Sequence, residues 1–324
     1  MKPLSRLNQF FSKAPIHVAL ILMCLIWLIP TVGLFISSFR TREDVRTSGW
    51  WTALIPYSVD GQKRPAMSNL TLRNYADAIV GYKGTQDYLT DCTQGVSSTL
   101  AKFKCSIVDM LNPEGMGRAF INTLIVTVPA TILPILFAAF AAYAFAWMDF
   151  KGRQWMFALL VGLQIIPLQM TLVPIARLYV SLGISNTFLG IWLFHTGFGL
   201  PYAIYLTRNF IGSLPREIFE SAYLDGANHW KVFWQLVIPL STPAIASLGI
   251  FQFLWVWNDF LVAKIFLPTN PVLTVQITNL IDPRGGNWHL LTGAAFLSII
   301  VPMIVFFGFQ RYFVRGLLAG SVKG

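Results

Sequence analysis

Ser213-Leu-Pro-Arg-Glu-Ile-Phe-Glu-Ser-Ala-Tyr-Leu-Asp-Gly-Ala-Asn-His-Trp230, closed by Val237-Ile-Pro-Leu240, interrupts two long apolar stretches and decides how the chain is read. Pro215 and Gly226, eleven residues apart, bracket one short helix: proline lacks only an amide that would be unpaired there, and glycine accepts the left-handed exit. A second helix is expected at once. Trp230, Phe233, Trp234 and Val237 recur at i, i+3, i+4 and i+7 and form one apolar stripe that runs up to Pro239. Two short helices at a sharp angle between membrane spans make a knob that projects from the bilayer and can dock into another protein.

Working outward, hydrophobic residues make up 55% of the 324 and charged residues 12%, and the apolar residues are clustered. A span needs about 20 mostly apolar residues to cross roughly 30 Å of hydrocarbon. Six stretches qualify: 16–38, 119–147, 154–176, 188–207, 242–266 and 290–310. All six should be helices, because a helix satisfies its backbone polar groups within one segment, and the period-two alternation of a membrane barrel is absent. The expectation is an all-α membrane protein with six transmembrane helices. The first stretch runs well past the length of a signal-peptide core and reads as a retained span.

Six spans place both termini on one side. Lys and Arg on that side number eleven (Lys2, Arg6, Lys13, Lys151, Arg153, Arg208, Arg216, Lys231, Arg311, Arg315, Lys323) against four acids, Asp149, Glu217, Glu220 and Asp225. The short loops opposite hold Arg177, Lys264 and Arg284. The basic side faces the cytoplasm, so both termini and the 208–241 loop are expected there, in a multi-pass protein of a bacterial-type inner membrane. The net charge of +10 is accounted for by this orientation and by contacts to anionic lipid, and it implies no nucleic acid. The expected layout is a cytoplasmic segment 1–15, a first span 16–38, an extracytoplasmic loop 39–118, a five-span core 119–310 and a cytoplasmic tail 311–324.

The spans are rich in breakers, with Pro129, Pro134, Pro167, Pro174, Pro201, Pro243 and Pro302. Proline is tolerated in a span where neighbours resatisfy the freed carbonyls, so bends around a cavity are expected. Cys92 and Cys105 lie together in the long loop, where the redox environment permits a disulfide; metal binding is disfavoured there, because that loop holds no histidine. Cys24 reads as a small buried hydrophobe within the first span.

The chain has no Gly-x-x-x-x-Gly-Lys-Ser/Thr loop, no His-Glu-x-x-His and no Gly-x-Ser-x-Gly. Any ATP must be hydrolysed by another subunit, and intramembrane enzyme chemistry has no candidate residues. The competing reading is an ion-coupled secondary transporter. It is disfavoured because Asp259 is the lone carboxylate within the six stretches and no inverted repeat is evident. A sugar path is expected along the fifth span at Trp255, Trp257, Asn258 and Asp259, with Gln164 and Gln169 of the third as weaker candidates. An uncharged sugar needs flat aromatic faces and a few oriented hydrogen-bonding groups. Asp259 has two placements open: against a wet cavity, or near the membrane surface paired with Lys264.

Glu220-Ser-Ala222, Gly226 and Leu236-Val-Ile238-Pro239 resemble, position by position, the cytoplasmic coupling loop of the inner-membrane permeases of binding-protein-dependent ABC importers, whose pattern is Glu-Ala-Ala, three residues, Gly, nine residues and aliphatic-x-aliphatic-Pro. Ser221 stands in place of one alanine. Phe120-Ile-Asn-Thr-Leu124, Ala141-Ala-Tyr-Ala-Phe-Ala146 and the terminal 310–324 segment are similar to the second permease of maltose-type carbohydrate importers. Gly49-Trp-Trp-Thr-Ala-Leu54, His195-Thr-Gly-Phe-Gly-Leu-Pro201 and Phe251-Gln-Phe-Leu-Trp-Val-Trp-Asn-Asp259 resemble its α-glucoside branch, which includes glucosylglycerol, trehalose and sucrose transporters. The resemblance implies a type I ABC importer permease fold with cytoplasmic N- and C-termini. It also implies four kinds of partner: a second homologous permease, two ATPase subunits that bind ATP and Mg, an extracytoplasmic sugar-binding protein and membrane lipid. This chain itself would be non-catalytic and hold no cofactor or metal. Coupling to the ATPase falls on Glu217, Glu220, Ser221, Ala222, Asp225, Gly226 and Pro239, and a tail contact with it on Gly320, Ser321 and Lys323.

Overall fold

Long apolar runs give long helices, most of their internal prolines included, in the computed structural model, which describes residues 3–59, 62–67, 70–81, 111–282 and 285–321. The helices are α1 (Pro3–Ser38), α2 (Arg42–Thr47), α3 (Arg73–Val80), α4 (Met116–Trp147), α5 (Arg153–Gly162), α6 (Leu168–Ser181), α7 (Phe188–Gly212), α8 (Arg216–Leu224), α9 (His229–Val232), α10 (Ile238–Trp257), α11 (Leu261–Phe266), α12 (Leu273–Asn279) and α13 (Trp288–Ser321). A short antiparallel hairpin, β1 (Tyr57–Val59) with β2 (Gln62–Arg64), pairs Tyr57 with Arg64 and Val59 with Gln62. Cys92, Cys105 and Lys323 lie outside the described residues.

The chain divides into two compact units, one of residues 1–116 with 277–297 and one of 117–276 with 298–324. In the first, the end of α1 is tied to the loop that follows it. The buried Arg40 guanidinium donates to the carbonyls of Asp44 and Ser48 and to the hydroxyls of Ser48 and Thr52, while the Asn74 amide donates to the carbonyls of Ser38 and Arg40. A guanidinium is buried at low cost only when its fork of donors is filled in this way. Gly33 gives Trp50 its seat, since a Cβ there would lie 2.7 Å from the indole nitrogen.

The second unit carries the candidate functional surfaces. Among the described residues of the whole chain, four helical stretches are long and apolar enough to cross a membrane (Ala14–Ser38, Met116–Trp147, His229–Trp257 and Trp288–Arg311), or five if one bent pair counts as a span. That pair is Arg153–Ile165 with Leu168–Ser181, bent by 99°, where the sequence suggests one span over 154–176. The cause is Pro167: it forces Ile166 out of the helical region, to ψ 115°, and both residues are extended at the corner. Pro129, Pro134, Pro174, Pro201, Pro243 and Pro302 lie inside continuous helices. The stretch expected at 188–207 is the 25-residue α7, long enough but diluted by His195, Thr196, Gly197, Gly199 and Pro201.

Two boundaries differ from expectation. The fifth stretch does not continue to 266; α10 stops at Trp257, and α11 starts afresh after Asn258-Asp259-Phe260. The second helix of the 213–240 segment is not a separate short helix either. It runs from α9 through a π-helical turn, Phe233–Val237, into α10. Pro239 has no amide to offer, and the Ile238 amide reaches back five residues to the Phe233 carbonyl, so the ladder changes step just before the proline.

Candidate coupling surface and translocation cleft

The segment that opened the sequence reading folds as a helix, a glycine turn and the base of a span. Gly226 adopts φ +78°. Its amide donates to the Tyr223 carbonyl and the Ala227 amide to the Ala222 carbonyl, both at 3.0 Å, which is the paired exit of a Schellman motif. Asn228 then caps the next helix by accepting from the Lys231 amide at 2.9 Å. One residue therefore separates the end of one helix signal from the start of the next, and the turn has no slack.

Aromatic packing holds this turn against α4. Phe219 is fully buried and stacks on Trp147 at 3.9 Å between centroids, while the Trp147 indole donates to the Ile211 carbonyl at 3.1 Å. Phe140 stacks on Phe233 at 4.5 Å. The opposite face of α8 is open. Glu217, Glu220, Ser221, Asp225 and Gly226 are exposed, Leu224 is 88% and Trp230 64% exposed, and Arg216 lies 3.7 Å from Glu220 on the surface. Ala222 is half-buried against the core side; Pro239 is exposed at the base of α10. Acidic groups flank a protruding leucine on this face.

A second feature lies between α7 and α10. Phe198, Tyr202, Phe251, Gln252 and Trp255 line a cleft of about 330 Å³, and a neighbouring cleft of about 370 Å³ shares Phe198 and Tyr202 and adds Gln164. The helices approach closely there because Gly199 has no side chain: a Cβ would lie 2.8 Å from the Gln252 amide, which donates to the Ala130 carbonyl at 3.1 Å.

The expected path residues separate into groups. Trp255 lines the cleft and Gln164 its neighbour; Gln169 is exposed and lines neither. Trp257 is 2% exposed, its indole donates to the Ser298 carbonyl at 3.0 Å, and it packs on Phe120 and Phe253, so it belongs to the core. Asn258 caps α10 and donates to the Leu254 carbonyl. Asp259 accepts the amides of Val262 and Ala263 and lies 3.7 Å from His195 Nε2. Lys264 sits over the Phe260 ring rather than on Asp259. The sequence reading missed Phe198, Tyr202, Phe251 and Gln252; their trace was the i, i+4 spacing of Phe198 with Tyr202 and of Phe251 with Trp255. Gly320 and Ser321 end α13.

Residues 115–318 match the family described as binding-protein-dependent transport system inner membrane component. The chain belongs to this family. The permease is 48% identical, over 98% of its length and 95% of the relative's, to the osmoprotective compounds uptake permease protein GgtD of Synechocystis sp.. It is 42% identical to the alpha-glucoside transport system permease protein AglG of Rhizobium meliloti, over 95% of this chain and 97% of that one. Its fold matches a chain of a bacterial ABC transporter involved in import of the acidic polysaccharide alginate, with a TM-score of 0.64 at 20% identity, covering 95% of this chain and 98% of that chain.

Proposed function

We propose that the permease is a membrane-spanning subunit of an ATP-driven importer of sugars or glycosides of the α-glucoside type, such as glucosylglycerol, sucrose, trehalose or maltose. The observation that carries this reading is the α8 turn: a rigid helix packed on a span by aromatic stacks, with Glu217, Glu220, Leu224 and Asp225 open to a partner. A helix presented in this way fits a groove on another protein. ATP and Mg are held by two ATPase subunits, and this chain transmits their closure. A second homologous permease completes the path, and an extracytoplasmic binding protein delivers the sugar. The relatives' names and the aromatic cleft support the substrate class, since Trp255, Phe251 and Tyr202 offer flat faces and Gln252 and Gln164 hydrogen-bonding groups at its walls.

Six spans with both termini cytoplasmic are part of the same proposal, supported by the asymmetry of Lys and Arg. The bent α5–α6 pair and the diluted α7 supply the two spans beyond the four that qualify by length and composition. Gly320 and Ser321 at the end of α13, with Lys323 further along the sequence, would contact the ATPase dimer. The test is reconstitution of the whole complex in vesicles with a panel of α-glucosides. ATP-dependent uptake that stops when the ATPase is inactivated is the expected result. Uptake driven by an ion gradient without ATP would favour a secondary transporter and overturn the reading.

A further inference from the structure

Tyr223 and His229 stand three residues to either side of Gly226, on the two arms of the turn. Their polar atoms converge on one group from the span beneath. The Tyr143 hydroxyl of α4 lies 2.9 Å from the Tyr223 hydroxyl and 2.9 Å from His229 Nδ1, and the last two are 3.1 Å apart. Tyr143 is 3% exposed, among Ala139, Ala142 and Phe233. A buried phenol must find a partner for its hydroxyl, and here both partners belong to the turn.

We propose that Tyr143, Tyr223 and His229 form the joint that fixes the rotational register of the coupling turn on α4, so that movement of the turn is delivered to that span. They act as positioning residues for coupling. The stacks of Trp147 on Phe219 and Phe140 on Phe233 bind the same surfaces, but flat rings tolerate sliding. A hydrogen bond weakens steeply with misalignment, so three groups within 3.1 Å of one another hold one orientation. Each group comes from a different element: α4, α8, and the helix that continues through the π-helical turn into α10. The joint therefore links the docking helix to two spans at once.

The inference rests on the coupling reading above. Its test uses the complete reconstituted complex, with sugar-independent ATP hydrolysis and sugar transported per ATP measured together. Tyr143→Phe keeps the ring packing and removes the hydroxyl. Expected is an assembled complex that still hydrolyses ATP, with sugar moved per ATP down about fivefold, the weight of one hydrogen bond. His229→Asn, whose amide reaches the position of Nδ1, should keep the ratio, and His229→Leu should lose it. If Tyr143→Phe fails to assemble, Tyr223→Phe on a partly exposed side chain gives the same measurement. A wild-type ratio in Tyr143→Phe or Tyr223→Phe and in His229→Leu, with the wild-type complex coupled normally, overturns the joint alone. A wild-type complex in which ATP hydrolysis drives no uptake overturns the coupling reading with it.

Discussion

Trp255 and Trp257 are two residues apart and do opposite things. Trp255 lines the cleft and is partly exposed, whereas Trp257 is buried and hydrogen-bonded within the core. Trp255→Ala should therefore raise the sugar concentration for half-maximal ATPase stimulation, by roughly tenfold if about 1.4 kcal/mol of ring contact is lost, with little change in the thermal unfolding of the purified complex. Trp257→Ala should instead cost about 3–5 kcal/mol of stability, the range for removing a large buried aromatic. The same thermal scan distinguishes them, and equal effects on both measurements would contradict the assignment. At Gly226 the requirement is conformational: within this chain a Cβ meets nothing within 4 Å, but φ is +78°. Gly226→Asn should keep most transport, because Asn tolerates the left-handed region, and Gly226→Val should lose it, because β-branched residues there are outliers. Similar uptake by the two variants would place the requirement elsewhere.

At the level of elements, α8 is secured by what lies behind it. Phe219 is fully buried against Trp147, so Phe219→Ala should cost about 3–5 kcal/mol locally and release the helix. Hydrogen exchange across 214–232 should rise while the amides of α4 stay protected; unchanged exchange in that segment would show that other contacts hold α8. This element was legible in the sequence because its determinants are local: Pro215 and Gly226 dictate backbone geometry by their own chemistry. The cleft was only half legible. Trp255 announced itself as a tryptophan in a span, but Gln252 and Tyr202 line the cleft because Gly199 brings α7 against α10, a tertiary fact with no local signature. The corner at Pro167 was hidden in the same way, since Pro174 is just as visible in the sequence and yet sits inside α6. For Asp259 the sequence left a wet cavity and a pairing with Lys264 both open, and its capping of α11 was not legible because it depends on α10 ending at Trp257.

For the whole molecule, the orientation is open to direct measurement. Labels at the N-terminal segment, at the α8 turn and beyond Ser321 should all be modified from the cytoplasmic side of intact membranes, and modification of any one from outside would overturn the proposed six-span topology. The corner at Pro167 carries a further consequence. The helical arm that follows it, α6, has 14 residues and is about 21 Å long at 1.5 Å per residue, against roughly 30 Å of hydrocarbon. An arm that short should make uptake sensitive to bilayer thickness, because lipid beside it must thin to match and tilting would only shorten its reach further. Uptake in vesicles of defined phospholipids should consequently peak with shorter acyl chains and decline as the chains lengthen, and the dependence should weaken when Pro167 is replaced by Ala and the corner can straighten.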